Sequence, residues 1–465
     1  MFDLNGKKVL VIGLARTGVA TSLYCARHGA SVIAVDTRAE SDLSEVAANL
    51  RKANISLELG GYTEKILDGR DLVVPSPGVP ADSAILKAAR ARNLPVWSEI
   101  ELADRFLNGR LIGITGSNGK TTTTSLIEHI LKNSGFSTLL AGNIGTPLID
   151  VVEKTTDQTI AVAELSSFQL ELVETFRPNI GVFLNLTPDH LDRHGSIEAY
   201  GAAKARIFEK QTAADFAVLN ADDLASTPYA PSTPKVFWFS RKQRVAQGAF
   251  LLGEEIVFRH HGEEEIILKQ SEVPLPGAHN LENALAAVVA TRLAGARPHE
   301  IQKAIRSFAG VEHRLEFVAE LGGVRYFDDS KATNVDATRK ALDAFPGRIL
   351  IILGGKDKGS DYTVLQAPLR EKAILALLVG AAAEKIESQI AGSVSIERAG
   401  TIERAVEIAS RTAQPGDVVL LAPACASFDQ FQNYEHRGRV FKQLVHELTK
   451  QKAHSASGPI AAGKR

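Results

Sequence analysis

Short apolar runs recur along this chain, and each is followed by glycine or by polar residues. The first three runs are 9–12, 31–35 and 71–74, and a helical pattern over 19–28 separates the first two. Runs of four or five β-branched or aliphatic residues with such flanks are typical of strands buried in a parallel sheet. The order strand, glycine turn, helix, strand predicts a βαβ unit, in a first domain that ends near Ser98.

The same pattern restarts in a second region, which the sequence predicts to end near residue 310. Its buried strands are predicted by four further apolar runs: 111–114, 160–163, 180–184 and 216–219. The stretch 255–268 alternates polar and apolar positions around His261 and Gly262, which is typical of a hairpin at a sheet edge. A helical pattern over 280–293 follows it.

A third region carries another set of apolar runs, each leading into a loop rich in glycine, aspartate, lysine or serine. These runs are 324–327, 349–353, 374–379 and 418–421. In α/β sheets, ligands bind at the carboxyl ends of the strands, where such loops lie.

The pattern therefore predicts three α/β domains, over residues 1–98, 99–310 and 311–465. We expect a Rossmann-like N-terminal domain, a central P-loop-type domain with a mostly parallel sheet, and a Rossmann-like C-terminal domain. A polar tail from about Lys450 is expected to be disordered.

Composition excludes several classes of function. The 465 residues carry 53 Lys and Arg against 54 Asp and Glu, so the chain lacks the basic excess of a nucleic-acid-binding protein. No apolar run approaches the roughly 18 residues of a membrane span. Two cysteines, Cys25 and Cys425, cannot build a disulfide framework, which suits a reducing cytoplasm.

The strongest motif is a glycine-rich loop between a predicted strand and a predicted helix. It reads GITGSNGKT from Gly113 to Thr121. Such a loop holds phosphates with its backbone N–H groups, with Lys120 reaching the β- and γ-phosphates and the Thr121 hydroxyl binding Mg²⁺. The strict pattern requires glycine where Ile114 stands, so a structural glycine turn is the alternative.

A second glycine-rich turn, from Gly13 to Gly18, is similar to a dinucleotide-binding loop and is followed by Asp36 near the ribose-binding distance. Ala15 replaces the second glycine, through which the backbone approaches a pyrophosphate. The turn therefore does not favour NAD. A nucleotide diphosphate on the helix N-terminus and an ordinary βαβ turn both remain open.

Ionisable residues follow other predicted strands. Glu164 ends one of them, where a carboxylate commonly completes a Mg²⁺ shell in nucleotide enzymes. His190 and His194 have the i, i+4 spacing of zinc ligands, but no glutamate stands between them and no cysteine cluster is near, so a surface loop is the alternative.

Lys204 and Cys425 lie in small, apolar stretches of the sequence. Spacing alone predicts that Lys204 extends its ammonium group from a helix surface into water. Cys425 has no histidine near it in the sequence, so we expect a packed side chain rather than a nucleophile.

Over nearly the full length, the chain resembles the Mur ligases, ATP-dependent enzymes that add amino acids to peptidoglycan precursors. The general marks are the loop 115–122, Glu164 with the following LSS, HNLENA at 279–284, and HR at 313–314. Two further motifs, DSKATN at 329–334 and ACASFDQF at 424–431, resemble the branch that adds D-glutamate. Sister ligases and folylpolyglutamate synthases carry a different motif at the first of these positions.

The resemblance implies three substrates: UDP-N-acetylmuramoyl-L-alanine, ATP and D-glutamate. The residues implied for the UDP-substrate are Arg16, Thr17, Asp36, Thr37, Arg38, Gly78 and Asn143, with Asn143 and His190 near its L-alanine carboxylate. ATP is expected between the second and third domains, on Gly116, Ser117, Asn118, Gly119, Lys120, Thr121, Thr122, Thr123, Asn280, Asn283, Arg314, Asp329 and Lys331. D-glutamate is expected among Thr333, Lys358, Ser427 and Phe428, and the resemblance leaves a contact from Tyr434 open.

The resemblance also implies Mg²⁺ at two sites, on Thr121, Glu164, His190 and Lys204. In the family, the lysine at the position of Lys204 reacts with CO₂ and becomes a carbamate, an anionic oxygen ligand. Its small apolar neighbours favour the neutral amine that this reaction needs. The resemblance therefore predicts a carbamylated Lys204, against the exposed lysine that spacing suggests, and makes Lys120, His190 and Lys204 the catalytic candidates.

The implied reaction is the activation of a carboxylate by ATP as an acyl phosphate, followed by attack of the D-glutamate amine. We expect a cytoplasmic monomer without nucleic-acid or membrane partners. Two alternatives stay open: a sister ligase that adds L-alanine to UDP-N-acetylmuramate, and a non-enzymatic, nucleotide-gated binding module. The second would have no use for Glu164, Lys204 and Lys358 together.

Overall fold

The computed structural model describes residues 2–143 and 145–456, without the side chains of Asp192 and of residues 450–456. It divides into two compact units. The first contains residues up to Val273 together with Glu282–Phe308, and the second contains Pro274–Leu281 and the chain from Ala309 onward.

The first sheet lies in the first unit and is parallel throughout, in the order β3-β2-β1-β4. Its strands are β1 (Lys8–Ile12), β2 (Ser31–Asp36), β3 (Ser56–Leu59) and β4 (Leu72–Pro75). The helices of this part are α1 (Arg16–Arg27), α2 (Ser44–Lys52), α3 (Ala84–Ala91) and α4 (Glu99–Asp104). The predicted βαβ unit is confirmed in β1, α1 and β2.

The second sheet of the first unit has nine strands, in the order β13-β12-β11-β10-β9-β8-β5-β7-β6. They are β5 (Arg110–Thr115), β6 (Ser137–Gly142), β7 (Thr159–Glu164), β8 (Ile180–Phe183), β9 (Phe216–Asn220), β10 (Lys235–Ser240), β11 (Gly248–Leu252), β12 (Glu255–His260) and β13 (Glu263–Lys269). Only the β11–β12 and β12–β13 pairs are antiparallel. The hairpin predicted around His261 is confirmed as the β12–β13 edge of this sheet.

The helices that accompany this sheet include the long segments that follow the glycine loop and the hairpin. They are α5 (Lys120–Asn133), α6 (Ser167–Leu170), α7 (Leu191–His194), α8 (Ile197–Ala205), α9 (Ala278–Ala294) and α10 (Pro298–Arg306). One apolar core runs through both sheets of the first unit and includes Val9, Val74, Trp97, Ile149 and Phe183. Burying this shared apolar surface holds the two sheets together.

The second unit contains a six-stranded sheet in the order β14-β15-β19-β16-β17-β18, parallel except for the β14–β15 pair. Its strands are β14 (Glu316–Leu321), β15 (Val324–Asp328), β16 (Ile349–Gly354), β17 (Ala373–Val379), β18 (Ser395–Gly400) and β19 (Val418–Leu421). Its helices are α11 (Val335–Asp343), α12 (Gln366–Lys372), α13 (Ala383–Ile390), α14 (Ile402–Thr412) and α15 (Tyr434–Ala456). Separate apolar clusters, around Ile351 and Leu420 and around Ile352 and Leu421, cover its two faces.

The last helix extends further than the sequence predicts. α15 continues to Ala456, past Lys450, where the predicted disordered tail begins. The rest of that prediction, from Ser457 onward, lies outside the described residues. None of the described helices combines the length and the apolar character that a membrane crossing requires.

Candidate active site

The glycine-rich loop lies at the carboxyl end of β5, the strand between β8 and β7. Gly119 is the N-cap of α5 and has φ of +84°, a left-handed conformation that favours glycine. A Cβ atom at Gly119 would lie 2.3 Å from Oδ1 of Asn283, so a larger residue does not fit without displacing that side chain. The loop leads from a strand into a helix, as predicted, and the first N–H groups of such a helix are suited to hold phosphate.

The segment after β8 pins the loop in place through several hydrogen bonds. The Asn118 N–H donates to Oδ1 of Asn185 over 2.9 Å, and the Asn185 amide donates back to the Asn118 carbonyl over 3.1 Å. The Ser117 hydroxyl donates to the Thr187 carbonyl over 2.9 Å. Sequence reasoning missed Asn185 and Thr187, although both follow a predicted strand whose carboxyl end is adjacent to that of β5.

Polar side chains from three segments converge beside this loop. The Thr121 hydroxyl donates to Oε2 of Glu164 over 2.7 Å, and the Asn143 side-chain amide donates to Oε1 of Glu164 over 2.8 Å. Glu164 is 2% exposed at the end of β7. Carboxylate and hydroxyl oxygens are the ligands that Mg²⁺ prefers, so this donor set fits the metal that the family implies.

Lys204 is buried, and the prediction from spacing alone is wrong. The residue is 1% exposed, and its Nζ donates to the Gly116 carbonyl over 2.8 Å. The ring of Tyr200, one helical turn earlier on α8, has its centroid 4.3 Å from this Nζ. The side chain turns inward because the carboxyl end of β5 faces α8.

The surroundings of Lys204 favour its neutral amine. Burial lowers its pKa well below the ordinary value of a lysine, and the nearby charge of Lys120 lowers it further, while Asp189 and Glu164 act in the opposite direction. Nζ of Lys120 also donates to the Gly116 carbonyl over 2.8 Å, so both lysines share one acceptor. Two ammonium groups at one carbonyl repel each other.

The two predicted histidines differ in environment. His190 has φ of +53°, and its side chain is half exposed, with its ring 4.9 Å from that of Phe168. His194 is packed instead: Nε2 lies 3.0 Å from the Ser167 hydroxyl, and Nδ1 lies 3.2 Å from Glu171. Since these contacts engage both ring nitrogens of His194, neither the zinc pair nor the incidental surface loop describes it.

The turn after β1 is held from the end of β2. The Asp36 carboxylate accepts hydrogen bonds from the Leu14 N–H over 2.7 Å and from Nη2 of Arg38 over 2.8 Å. Hydrogen bonding to Arg38 lowers the pKa of Asp36 to about 2, although burial opposes this shift. Gly18 is required here, because a Cβ would lie 1.8 Å from the Gly13 carbonyl.

The other residues implied for the UDP-substrate surround this turn. The Arg16 guanidinium donates to the Gly145 carbonyl over 2.7 Å, and Thr17 is half-buried in α1. Thr37 and Gly78 are exposed. Sequence reasoning missed Ser76, whose hydroxyl donates to the Gly13 carbonyl over 2.6 Å.

In the second unit, Asp328 ends β15 and Asp329 follows it, beside the segment that carries Arg314. Nδ1 of His313 lies 2.6 Å from Oδ2 of Asp328. Burial raises the pKa of Asp329 to about 7, against the charges of Arg314 and Lys331, which lower it. Because this pKa lies near neutral pH, a change in the charges around Asp329 would alter the ionisation of its carboxyl group.

Arg437 joins the two motifs that resemble the D-glutamate branch, and sequence reasoning missed it. This arginine is 1% exposed, and its Nε donates to the Ser330 hydroxyl over 2.9 Å. Its Nη1 and Nη2 both donate to the Cys425 carbonyl over 3.2 Å. A charged side chain gives no signal of burial in the sequence, so only its contacts identify this role.

The residues implied for D-glutamate lie on loops at the carboxyl ends of the strands of the third sheet. Lys358 follows β16, Ser427 and Phe428 follow β19, and Thr333 follows β15. Lys358 and Phe428 are exposed, whereas Ser427 is buried. Cys425 is 1% exposed and its pKa rises to about 11 through burial, which confirms a packed thiol rather than a nucleophile.

The predicted residues thus form three groups. One surrounds the glycine loop at the carboxyl edge of the second sheet, one surrounds the turn after β1, and one lies at the carboxyl edge of the third sheet. Asn280 and Asn283 both lie in α9. The first group is suited to binding a nucleotide triphosphate with its metal ion.

Family models match most of the chain. The Mur ligase MurD-like N-terminal domain matches residues 7–98, the Mur ligase middle domain matches 114–291, and the glutamate ligase domain of the Mur ligases matches 313–425.

Two curated relatives are similar to nearly the whole chain, and both are named UDP-N-acetylmuramoylalanine–D-glutamate ligase. The protein of Acidobacterium capsulatum is 52% identical over 95% of this chain and 97% of its own. The protein of Koribacter versatilis is 50% identical over 97% of this chain and 99% of its own.

Solved structures share the fold at low sequence identity. A MurF ligase of Thermotoga maritima in complex with ADP has a TM-score of 0.60 at 16% identity, covering 96% of this chain and all of its own. The UDP-N-acetylmuramate–alanine ligase of the same organism has a TM-score of 0.58 at 19% identity, covering 96% of this chain and 99% of its own. Together with the three family models and the two curated relatives, the three-sheet architecture leads to one conclusion: the chain belongs to the Mur ligase family.

Proposed function

We propose that this protein joins D-glutamate to UDP-N-acetylmuramoyl-L-alanine with cleavage of ATP to ADP and phosphate. The observation that carries the proposal is the 52% identity, over 95% of the chain, to a relative named for this reaction. The pinned glycine loop and the motifs at 329–334 and 424–431 support it.

In the first step, a carboxylate oxygen of the L-alanine part attacks the γ-phosphorus of ATP, and the bond from that phosphorus to the bridging oxygen of ADP breaks. The N–H groups at the start of α5 and the ammonium group of Lys120 stabilise charge on the phosphate oxygens. Bound Mg²⁺, held by Thr121 and Glu164, would supply further positive charge there. Asn143, which already orients Glu164, is placed beside the same site.

In the second step, the D-glutamate amine attacks the acyl carbon, and phosphate leaves from the tetrahedral intermediate. D-glutamate carries two carboxylates, and the exposed ammonium of Lys358 and the hydroxyl of Ser427 are suited to bind them. Thr333 and Phe428 would complete this site. Holding the amine near the acyl phosphate supplies effective molarity, which is the main rate advantage available here.

The proposal includes a carbamate on Lys204. The neutral Nζ attacks the carbon of CO₂, an N–C bond forms, one C–O π pair moves to oxygen, and a proton leaves the nitrogen for water. The lowered pKa and the burial of Lys204 support this reaction. The carbamate and His190 would provide ligands for a second Mg²⁺.

The UDP-substrate would occupy the turn after β1, with Arg16 and Thr17 at its pyrophosphate. Asp36, Thr37 and Arg38 would lie at the uracil, and Gly78 would border the same group. Two of the three substrates, ATP and the UDP-substrate, are nucleotides of the cytoplasm, so we assign the protein to that compartment. We also expect a monomer, which sedimentation velocity would test.

The test is ligation with purified protein, ATP and Mg²⁺, followed by mass spectrometry of the product and by ADP release. UDP-N-acetylmuramoyl-L-alanine with D-glutamate should give one new amide and one ADP per turnover. UDP-N-acetylmuramate with L-alanine serves as the parallel reaction, and product there alone would instead identify a sister ligase. ATP binding without turnover in either reaction would favour a binding module.

A further inference from the structure

Two neighbouring loops of the second unit are hydrogen-bonded to each other at the carboxyl ends of the strands, where the residues implied for D-glutamate lie. We call residues 355–362, after β16, the lysine loop, and residues 422–429, after β19, the cysteine loop. The Lys356 N–H donates to the Ala426 carbonyl over 2.8 Å, and the Ala426 N–H donates back over 3.2 Å. The close approach requires Gly355, where a Cβ would lie 2.2 Å from the Ala426 carbonyl oxygen.

A buried tyrosine side chain links the same two loops. Tyr362 is 0% exposed, and its hydroxyl donates to Oδ1 of Asp357 over 2.8 Å. The Cys425 sulfur lies 3.0 Å from the same hydroxyl. Since the hydroxyl proton is directed to the carboxylate, the thiol donates in this second contact.

Asp357 is itself fixed on its other side. Its Oδ2 lies 2.8 Å from Nζ of Lys385 on α13, and the Ser360 N–H donates to Oδ1 over 3.2 Å. Burial raises the pKa of Asp357, but the hydrogen bonds from Lys385, Tyr362 and Ser360 outweigh it and lower the pKa to about 2. The carboxylate is therefore ionised at neutral pH and keeps its acceptor role.

The result is a continuous chain of contacts, Lys385–Asp357–Tyr362–Cys425, across α13 and both loops. Its members are close in sequence to the residues implied for D-glutamate, since Lys358 directly follows Asp357, and Ser427 stands two residues after Cys425. Lys358 is exposed and Phe428 is 66% exposed, whereas Tyr362 and Cys425 are buried. The two loops are therefore linked by buried side chains and expose Lys358 and Phe428 to solvent.

We propose that Tyr362 is a positioning residue for the amino-acid substrate, whose hydroxyl sets the spacing between Lys358 and Ser427. The inference rests on the proposed function, because that function gives these two residues to D-glutamate. Substrate groups must be held to about half an ångström, and a hydrogen bond between the supporting loops contributes that precision. A small diacid such as D-glutamate has little other surface by which to be held.

The experiment compares Tyr362→Phe with the wild type in steady-state kinetics for all three substrates. Removing the hydroxyl while keeping the ring should raise the KM for D-glutamate about fivefold, as expected for one lost hydrogen bond. The KM values for ATP and for the UDP-substrate should stay within about twofold. Cys425→Ala, which leaves the Asp357 contact intact, should raise the KM for D-glutamate in the same direction by a smaller factor.

Tyr326→Phe is the matched control, because Tyr326 is another buried tyrosine of the same unit, 1% exposed on β15. It should leave the KM for D-glutamate unchanged. An unchanged KM for D-glutamate in Tyr362→Phe would overturn the proposal. So would equal changes in all three KM values together with a lowered Tm, because these indicate general destabilisation.

The outcome separates this inference from the proposed function. If the wild type ligates another amino acid, the proposed function is wrong, and a KM effect of Tyr362→Phe confined to that amino acid still supports positioning. If the wild type ligates none, backbone hydrogen exchange decides. Faster exchange in both loops in Tyr362→Phe, but not in Tyr326→Phe, supports the linkage, and unchanged exchange overturns it.

Discussion

The hydroxyl of Thr121 donates to Oε2 of Glu164 over 2.7 Å, joining the first turn of α5 to the end of β7. The two residues are 43 positions apart in the chain. The strand that precedes α5, β5, is a neighbour of β7 in the sheet, so the hydroxyl and the carboxylate meet at the carboxyl ends of these two strands, beside the glycine loop. This one contact brings together a hydroxyl and a carboxylate, both oxygen ligands of the kind that Mg²⁺ accepts.

Replacing Glu164 with glutamine should weaken the use of Mg²⁺. The amide has nearly the same shape, but it lacks the charge and cannot accept from both Thr121 and Asn143. We expect the Mg²⁺ concentration for half-maximal ATP turnover to rise about 10- to 100-fold. Removal of Mg²⁺ by EDTA should abolish turnover in the wild type.

Glu128→Gln is the control for this substitution. Glu128 lies on α5, the helix that carries Thr121, and its carboxylate accepts a hydrogen bond from the Thr138 hydroxyl over 2.9 Å, away from the glycine loop. Its Mg²⁺ titration should match that of the wild type. A normal Mg²⁺ titration for Glu164→Gln would contradict the metal assignment.

Asp36→Asn should loosen the turn after β1. The pKa of Asp36 is lowered from 3.8 to about 2, so its ionised form stabilises the folded state above pH 3.8 and this stabilisation is lost as the pH falls toward 2. We expect the substitution to cost about 1–2 kcal/mol at pH 7, because Arg38 is half exposed and solvent screens its charge. Denaturant unfolding measures the loss.

The same variant should raise the KM for the UDP-substrate and leave the KM for ATP unchanged. The Asp36 carboxylate holds Leu14 and Arg38, which lie at the turn proposed for the UDP-substrate. Asp42→Asn, at an exposed carboxylate nearby, should change neither stability nor KM. Equal stability of Asp36→Asn and the wild type at pH 7 would mean that this carboxylate does not hold the turn.

Glu99→Gln should stabilise the protein at alkaline pH. Glu99 is 1% exposed, and burial raises its pKa from 4.5 to about 7. Between these pH values the unfolded chain releases the proton while the folded chain keeps it, so the wild type loses stability as the pH rises from 4.5 to 7. This loss of unfolding free energy is on the order of 1–3 kcal/mol, and the glutamine variant does not undergo it.

Thermal melting at pH 4.5 and at pH 8 tests the sign. The Tm difference between Glu99→Gln and the wild type should be larger at pH 8. Glu58→Gln, at an exposed carboxylate of the same unit, should show no such change between the two pH values. A constant difference at both pH values would show that Glu99 is ionised in the folded state.

The sequence predicts thirteen of the nineteen described strands and misses six. Four of the missed strands, β3, β6, β14 and β18, lie at the edges of their sheets, whereas β10 and β11 lie inside the nine-stranded sheet. Edge strands expose part of their surface, so they carry polar residues and give a weaker apolar pattern. Most central strands, buried on both faces, have continuous apolar runs. The interior strand β10 also has such a run, at 236–239, and sequence reasoning missed it.

The site shows a similar division. The glycine loop could be predicted because its chemistry lies in consecutive residues, from Gly113 to Thr121. Asn185 and Arg437 could not, because each acts through contacts to segments far away in the chain. The burial of Lys204 also depends on what faces α8, and the helix itself has no marked apolar side that would reveal it.

Lys204→Ala should be nearly inactive, and acetate should partly restore its activity. The wild-type side chain is buried against the Gly116 carbonyl, and its pKa is lowered, so it can be carbamylated and supply anionic oxygens. Alanine removes those oxygens and leaves a space where a small carboxylate can enter. Activity measured against acetate concentration should therefore rise to a plateau in the variant and stay flat in the wild type.

Lys210→Ala is the matched control, because Lys210 is an exposed lysine that follows the same helix. It should keep full activity and gain nothing from acetate. In carbonate-free buffer the wild type should lose activity as the carbamate decomposes and regain it on addition of bicarbonate, since a buried neutral amine is needed for the carbamate to re-form. Full activity of Lys204→Ala without acetate, or a wild type indifferent to bicarbonate, would contradict a carbamate on this lysine.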